Sequence, residues 1–565
     1  MRLLSINVDD ESSDVLFIVQ ARTVGPVELF LKRGRFDSTL LGLGPLHTSG
    51  LPGSHRLVIC GMSGLTLSPY ISTLGSVGQG LSGLDLDAVE LTGKARVLSM
   101  IYISKNGHKV MPLDSKWFRH VRGTRGLLEK ALSRAEHEGA WALAVGSGAR
   151  VSAFGSVAGR SFYNDSISWA GRGGLGTRLL KEHNIAAILL DAPGSAVKAV
   201  PMRPGGKDFL FDPRLSAKGT LVANLEGLGD RALCINAMSA KFSRKERSRI
   251  FEDLLKPGML RDENEKGGMS RGRSCGEVCQ IACRREIGGA RVDFQPFSSL
   301  GPNIGVFGRD HVLSLITACD YHGFDAVELG GLIAWELERT SVLNDSASFE
   351  EIRDRQEECY KTALSLISDI GSGKRMDLAA GLAAAASDSR DRDKALFLSN
   401  ARGGGIAPLQ YWSPGVLAPV APQGRYHTYF GTDFIPPFEL GRLCSERSAI
   451  ELALDDLGLC RFQQEWAEEQ LEELGLLYGK EDENIFKLHA RMSKELIERT
   501  SPLPWATARA AEMIKGHLES WKDEERGFEG EDLSKWTDLF EKDPMSASIS
   551  YWQELKKGME ETMII

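Results

Sequence analysis

The amino-acid sequence changes its pattern near residue 201, and this change constrains the fold more than any other feature. Before it, short runs rich in β-branched residues are separated by turns, as at residues 15–20, 55–60, 96–103 and 185–190. Such runs predict a mainly β domain. Longer stretches after it predict helices. The predicted helices cover residues 241–256, 309–323, 347–369, 375–388, 446–457, 461–476, 483–499 and 503–522.

A passage rich in glycine and proline, residues 403–437, divides the predicted helices into two groups. We therefore predict an α+β fold with a β-rich N-terminal domain at 1–205, a helical domain at 206–400 and a helical C-terminal domain at 401–565. The chain of 565 residues is long enough to bury sizeable cores. Its sequence shows no repeat of fixed period.

Composition excludes several classes of protein. The chain carries 68 Lys and Arg against 76 Asp and Glu, whereas a bulk nucleic-acid binder needs a basic surface. No apolar run reaches the roughly 18 residues of a membrane helix. Acidic residues at 9–11 leave no signal-peptide core. Nine cysteines without an export signal predict a reducing, cytoplasmic location rather than a disulfide framework.

The strongest candidate for chemistry is a triplet of cysteines, Cys275, Cys279 and Cys283. At this spacing the three thiols share one helical face or line one loop. Thiolates are soft ligands that suit an iron–sulfur cluster or zinc, and the neighbouring Arg284 and Arg285 offset their negative charge. A four-iron cluster needs a fourth thiolate from elsewhere in the chain. The alternative is a set of buried cysteines without a ligand.

Two similar hexamers lie far apart in the sequence, at 320–325 (DYHGFD) and 455–460 (DDLGLC). Each follows a predicted helix, so its glycine can adopt the left-handed conformation at a helix C-terminus. The carboxylate beside it can accept hydrogen bonds from a planar heterocycle. Each hexamer alone is equally an ordinary helix end, but the matching pair favours a binding role.

The segment 171–176 (GRGGLG) has the spacing of a dinucleotide-binding motif, with Asp191 further on. It lacks an apolar strand directly before it and has too few residues after it for a full crossover helix. Nicotinamide binding is therefore not expected. Its glycines still allow close approach of an anionic ligand, to which Arg172 adds positive charge.

Together these motifs resemble the tungsten-containing aldehyde:ferredoxin oxidoreductase family, in order and rough spacing, from about Gly44 to about Phe462. The resemblance implies an enzyme that converts an aldehyde and water to a carboxylic acid. It implies one tungsten, or molybdenum, held by two molybdopterins, with a Mg²⁺ ion bridging their phosphates. It also implies a [4Fe–4S] cluster, a ferredoxin or small iron–sulfur subunit as electron partner, and a homodimer.

The resemblance also assigns roles to individual residues. Cys275, Cys279, Cys283 and Cys460 hold the cluster, and His427 acts at the active site. Arg56 lies between the two cofactors. The remaining pterin contacts are Arg172, Gly173, Gly174, Asp320, Gly323, Asp325, Asp455, Gly458 and Leu459.

The sequence departs from the family in three places. The family spaces its first two cysteines as C-x-x-C, whereas this chain has C-x-x-x-C, so the loop must bulge at Cys275. The family's glutamate near the metal falls at about Gln295, whose neutral amide cannot take a proton. Asp293 is then the substitute. The residues around His427 match poorly, so it is alternatively an ordinary loop histidine.

Two other functions follow from these departures. One keeps the cofactors but reduces an acid or a thioester-activated ring at low potential, with partner subunits. The other is a non-enzymatic iron–sulfur or zinc protein that has lost pterin binding.

Overall fold

Two six-stranded β-sheets form the N-terminal part of the chain. The computed structural model describes residues 1–17, 25–119, 121–161, 166–193, 212–260, 272, 274–277, 279, 281–344, 348–387, 389–399, 403–423, 433–471, 473–474, 484–500, 507–523 and 531–562. The first sheet, in the order β2-β1-β6-β3-β4-β5, contains β1 (Arg2–Asn7), β2 (Ser13–Phe17), β3 (Thr39–Leu43), β4 (Leu57–Met62), β5 (Pro69–Leu74) and β6 (Ala88–Thr92). The second, in the order β11-β10-β9-β12-β7-β8, contains β7 (Ser99–Ser104), β8 (Gly107–Pro112), β9 (Trp141–Val145), β10 (Val157–Ser161), β11 (Ser168–Ala170) and β12 (Ile185–Asp191).

The two sheets have the same topology. Read in reverse, the second order is β8-β7-β12-β9-β10-β11, so β7 to β12 occupy the places of β1 to β6. Strand directions agree as well, because β1–β6 and β7–β12 are the parallel pairs and the remaining pairs in both sheets are antiparallel. The N-terminal region is therefore an internal structural repeat, although the sequence shows none.

A single hydrophobic core joins the two sheets. Leu41 pairs in register with Ile59 and Val89 in the first sheet, and Leu143 pairs with Ile188 in the second. All five side chains are at most 2% exposed and belong to one cluster. Each such side chain contributes roughly 1.5–3 kcal/mol on burial, so the sheets form one domain rather than two independent ones.

Four short helices accompany the sheets, and the described residues after β12 are mainly helical. The first four are α1 (Pro26–Arg33), α2 (Gly78–Gly83), α3 (Gly123–Leu132) and α4 (Leu175–Lys181). The next nine are α5 (Pro213–Leu228), α6 (Arg244–Ile250), α7 (Lys256–Met259), α8 (Phe294–Ser299), α9 (Arg309–His322), α10 (Ala326–Arg339), α11 (Phe349–Asp354), α12 (Gln356–Gly371) and α13 (Leu382–Ser387). The last six are α14 (Pro437–Asp456), α15 (Gln464–Glu469), α16 (Ile485–Glu498), α17 (Ala508–Asp523), α18 (Glu531–Lys542) and α19 (Pro544–Thr562).

These helices confirm the predicted α+β class, a β-rich region followed by helical domains. Most of the predicted helices contain an observed one, and α9 agrees with its prediction within one residue. The prediction for 375–388 was wrong at its start, because only Leu382–Ser387 is helical. Gly381, directly before the observed helix, adopts a left-handed φ of 96°, which interrupts a helix at this point.

The domain boundaries remain predictions, since residues 205 and 400 lie outside the described residues. Separate hydrophobic clusters do exist around α9, α10 and α12 and around α14, α17 and α19. Within the described ranges, no helix combines the length and apolarity needed to cross a membrane.

Candidate active site

A cavity of about 640 Å³ lies between the β-sheets and the helical region. Its wall is formed by the end of β5, by β11, by the first turns of α5, α8 and α10, and by the segment after α14. The predicted site residues in the wall are Arg56, Arg172, Cys275, Cys283, Asp293, Gln295, Asp325 and Cys460. His427 lies outside the described residues, so its role remains a prediction.

The four cysteines expected to bind the cluster differ from the others in exposure. Cys275, Cys279, Cys283 and Cys460 are partly exposed, whereas the remaining five are buried. The described residues of the triplet form a loop rather than a helix, which decides between the two conformations that the spacing allows. Gln463, three residues after Cys460, directs its Nε2 at the Sγ of Cys279 at 3.9 Å. The loop and the second hexamer therefore meet.

The protonation of these thiols follows from burial. Burial raises the pKa of Cys275 to about 11 and raises the pKa of Cys279 and Cys283, and the nearby Cys460 adds to each rise. The thiols of Cys275, Cys279 and Cys283 are thus neutral until a metal replaces their protons, and metal loading must release these protons.

The cysteine spacing allows two kinds of metal site. A single zinc needs ligands that meet at one point, whereas each thiolate of a [4Fe–4S] cluster binds a different iron. In the described part of the chain, no three His, Cys, Asp or Glu side chains converge to hold one metal ion.

Two buried arginines, Arg56 and Arg172, face the cavity. Arg56 donates to Thr73 Oγ1 at 2.8 Å. Arg172 donates to the Gly405 carbonyl at 2.6 Å, and its Nε lies 3.2 Å from Asp325. Its Nη1 has no hydrogen-bond acceptor among the described residues. Because a buried N–H without a partner is costly, this part of the wall is suited to an anionic ligand.

The first residue of each hexamer binds an arginine that lines the cavity. Both oxygens of Asp320 accept hydrogen bonds from Arg291, at 2.8 and 2.9 Å. Asp455 accepts from Arg461 Nη2 at 2.5 Å. Both arginines line the cavity, as does the last residue of each hexamer, Asp325 or Cys460. The Leu459 side chain is fully buried in a hydrophobic cluster, so only its backbone is available to a cofactor.

The two hexamers dock on equivalent places of the repeated sheets. Gly323 and Gly458 have left-handed φ angles of 72° and 71°, as predicted for helix C-termini. Gly323 lies against Gly146, which follows β9, and Gly458 lies against Gly44, which follows the equivalent strand β3. The structural repeat therefore extends into the site.

Gly44→Ala is expected to displace the second hexamer. A Cβ at residue 44 would overlap the backbone carbonyl of Leu457, and overpacking of this kind costs about 1–3 kcal/mol. We expect a melting temperature several degrees lower and a weaker hold on any ligand of Cys460. Gly64→Ala is the matched control, because nothing lies within 4 Å of its Cβ position. Equal melting temperatures for the two variants would contradict this packing.

The segment 171–176 does not form a dinucleotide-binding unit, as the sequence indicated. Strand β11 before it has three residues and pairs antiparallel with β10, and α4 after it has seven. A Cβ at Gly173 would overlap the Tyr70 ring, and one at Gly174 the Ala153 carbonyl. The close packing is therefore a sufficient reason for glycine at both positions. The adjacent Arg172 lines the cavity.

Two family models match most of the chain. The N-terminal domain of aldehyde ferredoxin oxidoreductase matches residues 37–192, and domains 2 and 3 of the same enzyme match residues 245–479. The chain belongs to the aldehyde ferredoxin oxidoreductase family. This family of oxidoreductases accounts for the β-rich domain, the helical domains and their order.

Two relatives and one solved structure are similar to the chain at low sequence identity. The glyceraldehyde-3-phosphate:ferredoxin oxidoreductase of Pyrococcus furiosus is 25% identical, and the alignment covers 91% of this chain and 89% of the relative. An uncharacterised protein of Methanocaldococcus jannaschii is also 25% identical, over 82% of this chain and 83% of the relative. Among solved structures, the active-site complex BamBC of benzoyl coenzyme A reductase, in complex with 1,5-dienoyl-CoA, is similar at a TM-score of 0.57. The two are 13% identical and the match covers 100% of this chain and 98% of that one, a likeness of fold. The chain is therefore a divergent member of the family.

Three residues at or behind the cavity wall were not predicted from the sequence. Arg291, Arg461 and Glu328 have no local sequence signal of a role in the cavity, apart from the position of Glu328 three residues after the first hexamer. Glu328 is fully buried and accepts hydrogen bonds from the backbone N–H of Leu382 at 2.7 Å and of Gly405 at 2.5 Å. It therefore holds the Gly405 carbonyl that orients Arg172.

Glu328→Gln is expected to change how stability depends on pH. Burial, helped by the nearby Asp325, raises the pKa of Glu328 to about 7. The folded chain therefore binds this proton more tightly than the unfolded chain, and the wild type loses stability as pH rises from about 4.5 to 7. The loss amounts to about 3 kcal/mol. Urea unfolding of both proteins across this range measures it. If the unfolding free energies of wild type and Glu328→Gln changed with pH in the same way, the raised pKa of Glu328 would be contradicted.

Proposed function

We propose that the chain oxidises an aldehyde with water to a carboxylic acid at a bis-pterin tungsten or molybdenum centre, and that a [4Fe–4S] cluster passes the electrons to a ferredoxin-like carrier. The observation that carries this proposal is the meeting of three partly exposed cysteines, Cys275, Cys283 and Cys460, and several buried arginines at one cavity, with Cys279 beside Gln463 in the same region. The relative named for glyceraldehyde-3-phosphate and ferredoxin supports the same reaction class.

The cavity wall fits this set of cofactors. Arg56 and Arg172 are suited to the pterin phosphates, and the Nη1 of Arg172 is buried without a described acceptor. Arg291 and Arg461, fixed by Asp320 and Asp455, present further N–H groups. Cys275, Cys279, Cys283 and Cys460 are the cluster ligands. When bound, the pterin metal accepts two electrons and the cluster transfers them singly.

The protein's own part in the reaction is to orient the aldehyde and to take a proton. Oxidation of one aldehyde with one water yields one acid, two electrons and two protons. Asp293 and Gln295, at the start of α8, line the cavity. The Gln295 amide can donate to the carbonyl oxygen of the aldehyde but is not basic enough to take a proton. The Asp293 carboxylate therefore accepts one of the two protons, and the other leaves to water. Arg291 lies 3.7 Å from Asp293 and holds it in place.

The test is metal analysis of anaerobically purified protein, followed by an aldehyde screen with a viologen acceptor. One tungsten or molybdenum and about four irons per chain, with aldehyde-dependent reduction, is the expected result. Iron without tungsten, molybdenum or pterin would contradict the proposal and favour the non-enzymatic alternative.

A second function is favoured by Gln295, which stands where the family has a glutamate. Without that carboxylate, the same centre is suited to a low-potential reduction of an acid or an acyl thioester with a partner subunit. Metal content does not distinguish the two functions, but assays in both redox directions do.

A further inference from the structure

The C-x-x-x-C spacing of this chain places three residues between Cys275 and Cys279, one more than the family has. Gly276 has a left-handed φ of 102°, directly after Cys275. The next residue, Glu277, turns its side chain into the protein, where it is 4% exposed. A buried carboxylate between two cluster cysteines needs partners to offset its desolvation.

These partners come from the first β-sheet. Glu277 accepts hydrogen bonds from the backbone N–H of Ser76 at 2.6 Å and of His55 at 3.3 Å. Ser76 Oγ in turn donates to the Cys275 carbonyl at 2.7 Å. Gln79 Nε2 donates to the Gly276 carbonyl at 3.0 Å. The turn between β5 and α2 thus holds the Cys275 side of the loop at several points.

The counter-charge of Glu277 is Arg56. Burial raises the pKa of Glu277, and Arg56 opposes this rise. Burial lowers the pKa of His55 to about 4, so the imidazole, although 3.8 Å away, is neutral at pH 7. Arg56 is also close to Cys460 and Cys275, which raise its pKa against the effect of burial. Arg56 follows His55, whose N–H binds Glu277, and lines the cavity together with Cys275 and Cys460.

The same arrangement occurs in the second sheet. The turn between β11 and α4 holds Asp325 through the Gly173 N–H, with Arg172 as the counter-charge. Equivalent turns of the repeat thus each bind one buried carboxylate through a backbone N–H. Asp325 belongs to a pterin motif, whereas Glu277 belongs to the cysteine loop.

We propose that Glu277 is a positioning residue, which anchors the Cys275 side of the cysteine loop to the first sheet beside Arg56. This inference rests on the proposed function for its cluster, and it gives a role to the spacing that distinguishes this chain from its family. Glu277 does not contact the reacting atoms. Its loss loosens one cluster ligand and removes a negative charge beside the cluster.

The test compares wild type, Glu277→Gln, Glu277→Asp and the control Glu90→Gln. Glu90 is an equally buried glutamate of the first sheet, bound by Arg33 and remote from the cysteine loop. Iron release to a chelator, cluster potential by EPR-monitored titration, and amide exchange over residues 54–78 are measured on the full chain. For Glu277→Gln we expect about tenfold faster iron release, a positive shift in potential and faster exchange. Glu277→Asp, which keeps the charge on a shorter side chain, is expected to lie between.

Wild-type values for Glu277→Gln in all three measurements, or equal changes in Glu90→Gln, would overturn the inference. A wild type without iron would overturn the proposed function instead. Amide exchange would then still test whether Glu277 anchors the loop, because it depends on the hydrogen bonds of His55 and Ser76 and not on iron.

Discussion

Cys460→Ala is expected to remove the cluster and with it electron transfer to the carrier. Cys460 ends the second hexamer, is partly exposed at the cavity, and donates its backbone N–H to the Gly53 carbonyl at 3.0 Å. Without its thiolate, one iron lacks a protein ligand. We expect the iron content to fall well below that of wild type and carrier reduction to drop about 100-fold or more. Iron analysis, EPR and acceptor assays of anaerobic protein measure both.

Cys444→Ala is the matched control, because Cys444 lies in α14, the helix that leads into the same hexamer, and is fully buried. Removing one buried sulfur there costs about 1 kcal/mol of stability and leaves iron bound. Equal iron content in the two variants would show that Cys460 is not a cluster ligand.

The sequence predicted those parts of the fold and site that depend on local patterns. Strand-length runs and longer helical stretches gave the order of the domains. The hexamers were recognisable because a glycine after a helix has one common conformation, and Gly323 and Gly458 both adopt it. The short distance from Gly176 to the next strand excluded a dinucleotide fold, and the seven residues of α4 confirm this.

Features that depend on tertiary contacts could not be predicted. Arg291 precedes its partner Asp320 by 29 residues, and no pattern links the two. The internal repeat is visible in strand order and direction but not in residue identity, because a sheet requires only apolar alternation of its strands. The partners of Glu277 beside the first sheet also could not be predicted, because they are about 200 residues away in the sequence. The predicted helix at 375–388 failed before Leu382, where Gly381 adopts a left-handed conformation that depends on its surroundings.

Arg172→Met is expected to abolish cofactor retention. Arg172 is the counter-charge of the buried Asp325, which lies close to Glu328, so its removal takes away a cation that offsets both buried carboxyl groups. Breaking a buried pair costs about 3–5 kcal/mol, and the wall loses N–H groups suited to a phosphate. We expect tungsten, or molybdenum, and pterin to be lost from the folded chain. Metal analysis and pterin extraction of the folded fraction measure this loss.

Two further variants separate charge, geometry and stability. Arg172→Lys keeps the charge but not the planar fork, so its retention of cofactor is expected to be intermediate. Arg178→Met removes another buried arginine, whose N–H groups donate to the carbonyls of Met62, Phe36, Asp37 and Ser38. Since Arg178 is not part of the cavity wall among the described residues, its loss should lower stability while cofactor stays bound to the folded fraction. If Arg178→Met loses cofactor as completely as Arg172→Met, the effect at residue 172 is one of folding, and the phosphate contact must be assigned to other arginines of the wall.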